Sequence, residues 1–233
     1  MVLVCGGIKG GSGKSTTAVN LAVIRASQGH DVLLVDADDQ ETASDFTQLR
    51  NEKLEGRAGY TSIKLTGAAV RSEVLRLAEK YSDIIIDTGG RDTASQRAAM
   101  TVADLRLVPF VPRSFDVWTI ERVASLVHEM QPANPKLKAC AFLNRLDARG
   151  QDNAEAAAVL REASGIVLLD VAIGTRKAFG NAAAEGLSVT ELKPPDEKAT
   201  AEIMDLYRYA FDIGGTPEEY QADVSIGAHD NVN

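Results

Sequence analysis

Eight consecutive residues carry the densest chemistry in the chain: Lys9, Gly10, Gly11, Ser12, Gly13, Lys14, Ser15 and Thr16. An apolar run precedes them and Ala18-Val19-Asn20-Leu21-Ala22 follows, so the order is strand, loop and helix. Glycines let a backbone turn tightly and bring its N–H groups against phosphate oxygens that side chains would obstruct. Lys14 supplies a point charge for the β- and γ-phosphates, the Ser15 hydroxyl is a ligand for Mg2+, and the following helix offers the positive end of its dipole. The general phosphate-loop template asks for glycine at position 8, where this chain has Ile8. A second lysine beside Lys14 is repelled by it unless an anion lies between them, and a triphosphate is such an anion.

Acids follow at strand ends. Leu33-Leu34-Val35 runs into Asp36-Ala37-Asp38-Asp39-Gln40, at the edge where open α/β sheets hold ligands. Asp38 read by itself is equally a turn or helix-cap residue. Ile84-Ile85-Ile86 ends in Asp87, the Walker B arrangement, which holds Mg2+ through water once a phosphate loop is present. Asn144 closes the run Ala141-Phe142-Leu143, where its amide can meet a purine edge or make a strand-end turn.

Positioning these groups requires parallel strands joined by helical crossovers, and the chain alternates short β-rich runs with longer helical stretches throughout. The strands are predicted at 1–8, 31–35, 61–65, 84–86, 105–110, 139–143 and 167–171. Most are continuous apolar runs, as strands buried on both faces require. Helices are predicted in the intervals, among them 15–28, 69–80, 116–130, 153–163 and 198–211, giving a doubly wound, mostly parallel α/β fold with helices on both faces. One ATPase domain over 1–213 is expected, followed by an acidic tail, 214–233, with few large apolar residues. Phe115 and Trp118 are expected in the core.

Composition excludes several classes. Of 233 residues, 45% are hydrophobic and 25% charged, enough apolar content for a core without staples. Cys5 and Cys140 lie apart in apolar runs and His30, His128 and His229 are scattered, which excludes a zinc or iron–sulfur site built from them. Without a leader or a long apolar span, the chain is expected in the cytoplasm. A net charge of −8 argues against a generally basic surface while leaving room for a local patch.

Lys9-Gly10-Gly11-x-Gly13-Lys14-Ser15 resembles the deviant Walker A motif of the ParA and MinD ATPases, and the resemblance extends over roughly residues 1–213. Asp36 to Gln40 resembles the family's D-x-D-P-Q stretch, with Asp39 in place of proline, and Gly89-Gly90 stands where the family has a proline pair, leaving that segment freer to move. The resemblance implies an ATP-dependent homodimer in which Lys9 reaches the partner's nucleotide. It also implies Asp36 near the Mg2+ shell, Asp38 orienting the attacking water and Asn144 on adenine. ParA-type proteins bind DNA non-specifically in the ATP state and answer to a ParB-like centromere-binding or adaptor protein. The chain is similar to the short form, with no helix-turn-helix before the loop. Arg176, Lys177, Lys193, Lys198 and Arg208 are the candidate DNA contacts, or else a solvated helix face. A MinD-like membrane mode calls for a basic amphipathic C-terminal helix, which the acidic tail does not supply. A P-loop ligase of the dethiobiotin synthetase type is the remaining alternative, against which Lys9 argues.

Overall fold

A computed structural model describes residues 1–112, 114–147 and 152–212, apart from the side chains of 114–118. The expectations for Phe115, Trp118 and the tail 214–233 lie outside what is described. Seven strands form one parallel sheet in the order β3-β2-β4-β1-β5-β6-β7. They are β1 (Val2–Cys5), β2 (Val32–Ala37), β3 (Thr61–Lys64), β4 (Asp83–Thr88), β5 (Leu105–Phe110), β6 (Lys138–Leu146) and β7 (Val167–Gly174).

Burial follows position in the sheet. The central strands Val-Leu-Val-Cys, Val-Leu-Leu-Val-Asp-Ala, Asp-Ile-Ile-Ile-Asp-Thr and Leu-Arg-Leu-Val-Pro-Phe are buried at every residue, because helices cover both faces. The edge strand β3 is half-buried or exposed throughout, and β7, at the other edge, alternates. On one face α1 (Lys14–Ser27), α2 (Thr42–Lys53), α7 (Lys177–Ala184) and α8 (Glu197–Phe211) pack over Leu3, Cys5, Leu34, Ile85, Leu107 and Phe142. On the other, α3 (Ala69–Leu77), α4 (Ala94–Met100), α5 (Ser114–Met130) and α6 (Asp152–Glu162) cover Val4, Leu33, Val35, Ile84 and Ile86. Both cysteines are buried, and neither is in a disulfide.

Three boundaries differ from the sequence expectation in ways that shape the site. The first strand stops at Cys5 rather than Ile8. A Cβ on Gly6 would come within 3.1 Å of Arg106 Nε and 3.3 Å of Gln96 Oε1, so the chain leaves the sheet through a residue without one. The fourth strand runs on to Thr88, carrying Asp87 inside the sheet. The sixth extends past Leu143 to Leu146, with irregular pairing to β7 around Asn144, so Asn144 and Arg145 emerge beside the phosphate loop.

Candidate functional site

The loop from Gly6 to Gly13 joins β1 to α1, and Gly13 takes a left-handed φ of 98° as it enters the helix. Lys14 is 5% exposed and folds back to donate to the carbonyl of Lys9 at 3.0 Å. Burial pulls its ammonium below the ordinary lysine range, against Asp87 and Asp38, which hold it up. A buried ammonium whose hydrogen-bond partner is a neutral carbonyl is prepared to receive an anion. Lys9 itself is half-buried, and its carbonyl also accepts from the Ser12 hydroxyl at 3.4 Å.

Two aspartates meet side by side in the adjacent strands β2 and β4, where Asp36 and Asp87 are paired in register and both are 0% exposed. Asp36 is fully engaged. One oxygen accepts from the Asp38 backbone N–H at 3.1 Å, the other from the Ser44 N–H at 2.8 Å and the Ser44 hydroxyl at 2.7 Å. It fastens the first turn of α2 and the Asp38 loop to the sheet. Asp87, by contrast, has neither oxygen in a hydrogen bond of ordinary geometry. Burial pushes its carboxyl up to about 7, with the Ser15 hydroxyl and Lys14 pulling down and Asp36 and Asp38 adding to the rise.

Lys14, Ser15 and Asp38 border a cleft of about 910 Å³ at the carboxyl edge of the sheet. Gly10, Gly11, Gly13, Lys14, Ser15 and Thr16 form its floor, with Asp38 and Gly90 on one wall and Asn144, Arg145, Arg176 and Lys177 on the other. A volume of this size suits a nucleotide. Asp87 lies buried behind Ser15 rather than on the wall. Among the described residues no cluster of three or more His, Cys, Asp or Glu could hold a metal alone. The orphaned carboxylate of Asp87 beside the Ser15 hydroxyl nevertheless fits a Mg2+ whose remaining ligands are phosphate oxygens and water.

Asn144, expected to face adenine, is bonded to the phosphate loop. It is 6% exposed, its Nδ2 donates to the Ser12 carbonyl at 2.6 Å and its Oδ1 accepts from the Arg145 N–H at 2.9 Å. The first bond holds the loop and the second makes a strand-end turn, and each end of the amide keeps one further site, a second N–H hydrogen and a second lone pair. A Cβ on Gly13 would fall 2.2 Å from Asn144 Nδ2, so the two residues are mutually fitted. Arg145 adds a bond from Nη1 to the Gly11 carbonyl at 3.0 Å, from a backbone held at a φ of 55°.

Gly89-Gly90 also departs from the freer segment expected. A Cβ on Gly90 would sit 2.6 Å from the Gly10 nitrogen and 2.7 Å from the Lys9 carbonyl carbon, and one on Gly89 would sit 3.0 Å from Asp38 Oδ1. The glycines therefore let the segment after β4 press directly on the phosphate loop and on Asp38. Asp38 is half-buried and accepts from the Gln40 N–H at 3.2 Å, a turn contact of the kind expected of a cap.

The basic residues divide. Arg176 and Lys177 border the cleft, whereas Lys193, Lys198 and Arg208 do not. Arg176 is bound by Glu202 through Nε at 3.0 Å and Nη2 at 2.5 Å, and Arg208 is paired with Asp205, so two of the five charges are already matched. Lys177, Lys193 and Lys198 are exposed and have no ion-pair partner among the described residues. Sequence reasoning missed Ser44, Gln96 and the loop contact of Arg145. The first two are ordinary polar residues inside helices, where nothing in the local pattern marks them.

A glycine-rich loop between a central strand and a helix, a buried lysine and an acid-tipped neighbouring strand define a P-loop nucleoside triphosphatase. Residues 3–189 match the CobQ/CobB/MinD/ParA nucleotide binding domain, and the chain belongs to that family. A relative from Gloeobacter kilaueensis, the maintenance of carboxysome distribution protein A, is 34% identical over 185 residues, 78% of this chain and 81% of the relative. The fold is that of the Cyanothece McdA variant solved with ATP (TM-score 0.72, 20% identity, 91% of this chain and 96% of that one). It is also that of a plasmid partition protein from Borrelia burgdorferi (TM-score 0.62, 18% identity, 81% and 96%). The chain is thus an ATPase of the ParA/MinD type. Among the described residues no helix is long and apolar enough to cross a membrane.

Proposed function

We propose that this ATPase is a positioning switch. ATP and Mg2+ bind in the cleft, two copies close face to face with Lys9 of each reaching the other's phosphates, and the dimer binds DNA non-specifically. Hydrolysis, stimulated by a ParB-like or cargo-adaptor partner, reopens it. The observation that carries this reading is a buried Lys14 hydrogen-bonded to a neutral carbonyl together with a buried Asp87 whose oxygens make no hydrogen bond of ordinary geometry, with Ser15 beside both. Each is costly in the ligand-free protein and each is relieved by one half of a magnesium nucleotide.

Within the cycle Lys14 and the loop N–H groups hold the phosphates, Ser15 and Asp87 hold Mg2+, and Asp36 keeps the Asp38 turn at the right height. Mg2+ neutralises the phosphate charge that builds during transfer. Asp38, on the wall beside Gly89, orients the water. The ATPase unit spans 1–213. With Arg176 and Arg208 matched by acids, DNA contact rests chiefly on Lys177, Lys193 and Lys198, brought together by dimerisation. The relative named for carboxysome distribution and the partition protein that shares the fold both favour cargo positioning, with either class of cargo open to this chain.

The test is sedimentation and DNA retention of wild type, Lys9→Ala and Asp38→Ala with ATP, with ADP and without nucleotide, at two salt concentrations. A salt-sensitive, DNA-bound dimer in ATP, lost in Lys9→Ala and persistent in Asp38→Ala, is the expected result. Monomers that stay off DNA in ATP would overturn it in favour of a small-molecule ligase on the same fold.

A further inference from the structure

Five cationic side chains border the cleft: Lys14, Arg91, Arg145, Arg176 and Lys177. Three are engaged, Lys14 on the Lys9 carbonyl, Arg145 on the Gly11 carbonyl and Arg176 on Glu202. Lys177 stands at the far wall, at the start of α7. Arg91 alone lies on the side of Asp38. It follows Gly90, its side chain is exposed, and it has no ion pair among the described residues, although Asp92 and Arg97 beside it are paired with each other at 2.7 Å.

The main chain at Arg91 is anchored from below. Gln96, 0% exposed in α4, donates from Nε2 to the Arg91 carbonyl at 3.4 Å. Its Oε1 accepts from the Gly7 N–H of the phosphate loop at 3.2 Å and from the Thr88 hydroxyl at 3.2 Å. One buried amide therefore ties the loop, the end of β4 and Arg91 together. Gly90 presses on Lys9 and Gly10, and Gly89 on Asp38, so Arg91 is registered against both the phosphate floor and the acid that faces the water.

We propose that Arg91 is a catalytic residue acting within its own subunit, its guanidinium meeting the γ-phosphate as hydrolysis proceeds, with Gln96 as the positioning residue. The inference rests on the ATPase reading of the cleft. In the step, the water oxygen forms a bond to the γ-phosphorus while the bond from that phosphorus to the β–γ bridging oxygen breaks. The products are ADP and inorganic phosphate, and the proton from the water passes through Asp38 to solvent. Negative charge moves onto the bridging and equatorial oxygens, and a planar, permanently charged, multi-donor group suits it better than an ammonium does. Because Arg91 is not locked by an acid in the free protein, it can turn inward without breaking an ion pair.

The test compares wild type, Arg91→Ala, Arg91→Lys and Gln96→Ala for binding of ATP, for binding of ADP with aluminium fluoride as a transition-state mimic, and for phosphate release. Arg91→Ala is expected to bind ATP within about threefold of wild type. It should lose on the order of 10²-fold both in turnover and in affinity for the fluoride complex, with Arg91→Lys recovering part of each. Gln96→Ala is expected to show a smaller loss in the same two readouts. Unchanged turnover and fluoride affinity in Arg91→Ala would overturn the proposal, as would an equal loss of ATP and fluoride-complex affinity, which marks ground-state binding. A wild-type protein that binds neither ligand would instead remove the ATPase reading on which the proposal stands. Thermal melts of the variants separate these outcomes from misfolding.

Discussion

Asp36 and Asp87 occupy the same register on adjacent strands, are equally buried and carry the same side chain, yet their environments are opposite. Asp36 accepts three hydrogen bonds from the segment that follows it, and Asp87 accepts none of ordinary geometry. The difference lies in what comes after each strand. After β2 the chain turns and starts α2 at once, bringing Ser44 back over Asp36. After β4 it runs through Gly89-Gly90 onto the phosphate loop and leaves Asp87 uncovered toward Ser15. A carboxylate satisfied by its own chain braces it, whereas a buried one without a well-formed hydrogen bond is the better candidate for a cation.

The sharpest way to break this contrast is to neutralise each acid in turn. Asp87→Asn is expected to lower magnesium-dependent ATP turnover on the order of 10²–10³-fold while leaving the fold intact. Asp36→Asn is expected to cost about 1–3 kcal/mol of stability, since an amide cannot accept all three bonds, and to lower turnover by less than Asp87→Asn does, through the loosened Asp38 turn. Denaturant titration alongside a phosphate-release assay separates the two, and equal effects in both variants would erase the distinction.

Protonation sharpens it further. In the folded, ligand-free protein Asp87 titrates near 7 against an ordinary value of 3.8. The folded chain therefore keeps a proton that the unfolded chain has lost. That contribution to stability is fully present below about 4 and is lost as pH rises through about 7. Ligand-free stability should fall by a few kcal/mol across this window through Asp87, and Asp87→Asn should flatten the dependence. Melting curves from pH 4 to pH 8 check it, and an identical pH profile in the variant would contradict the assignment.

Smaller effects probe the loop itself. Gly90→Ala places a Cβ 2.6 Å from the Gly10 nitrogen, a backbone clash that must push the loop and the segment after β4 apart at a cost of about 1–3 kcal/mol. Its readout is a lower Tm together with weaker nucleotide binding. Asn144→Ala removes the donor to the Ser12 carbonyl and is expected to weaken ATP affinity about tenfold by loosening the loop. Were Asn144 instead an adenine reader, the variant would lose discrimination between ATP and GTP, and equilibrium binding of both nucleotides decides between the two roles.

Much of this site was legible in the sequence because its chemistry is local. Residues 9–16 carry their function in consecutive positions, and Asp87 announces itself as the acid at the end of an apolar run. The parallel sheet was legible for a related reason, since strands covered on both faces are apolar at every position and stand out between helices. Asn144 was found, but its bond to the phosphate loop was not, because that partner is a carbonyl 132 residues away that no local pattern reveals. Gln96 was missed for the same reason, as its three partners come from the loop, β4 and Arg91. The pair Gly89-Gly90 was visible as a departure from the family. Its meaning, close backbone approach to Lys9 and Gly10, appears only once β4 and β1 lie side by side.

We propose Asp87, buried and without a hydrogen bond of ordinary geometry, as the acid that couples magnesium to ATP in this cleft. Calorimetric titration of ATP into wild type and Asp87→Asn, each with Mg2+ and with chelator, measures this directly. Mg2+ is expected to tighten ATP binding on the order of tenfold or more in wild type and to have little effect in Asp87→Asn. Equal magnesium dependence in the two proteins would contradict it.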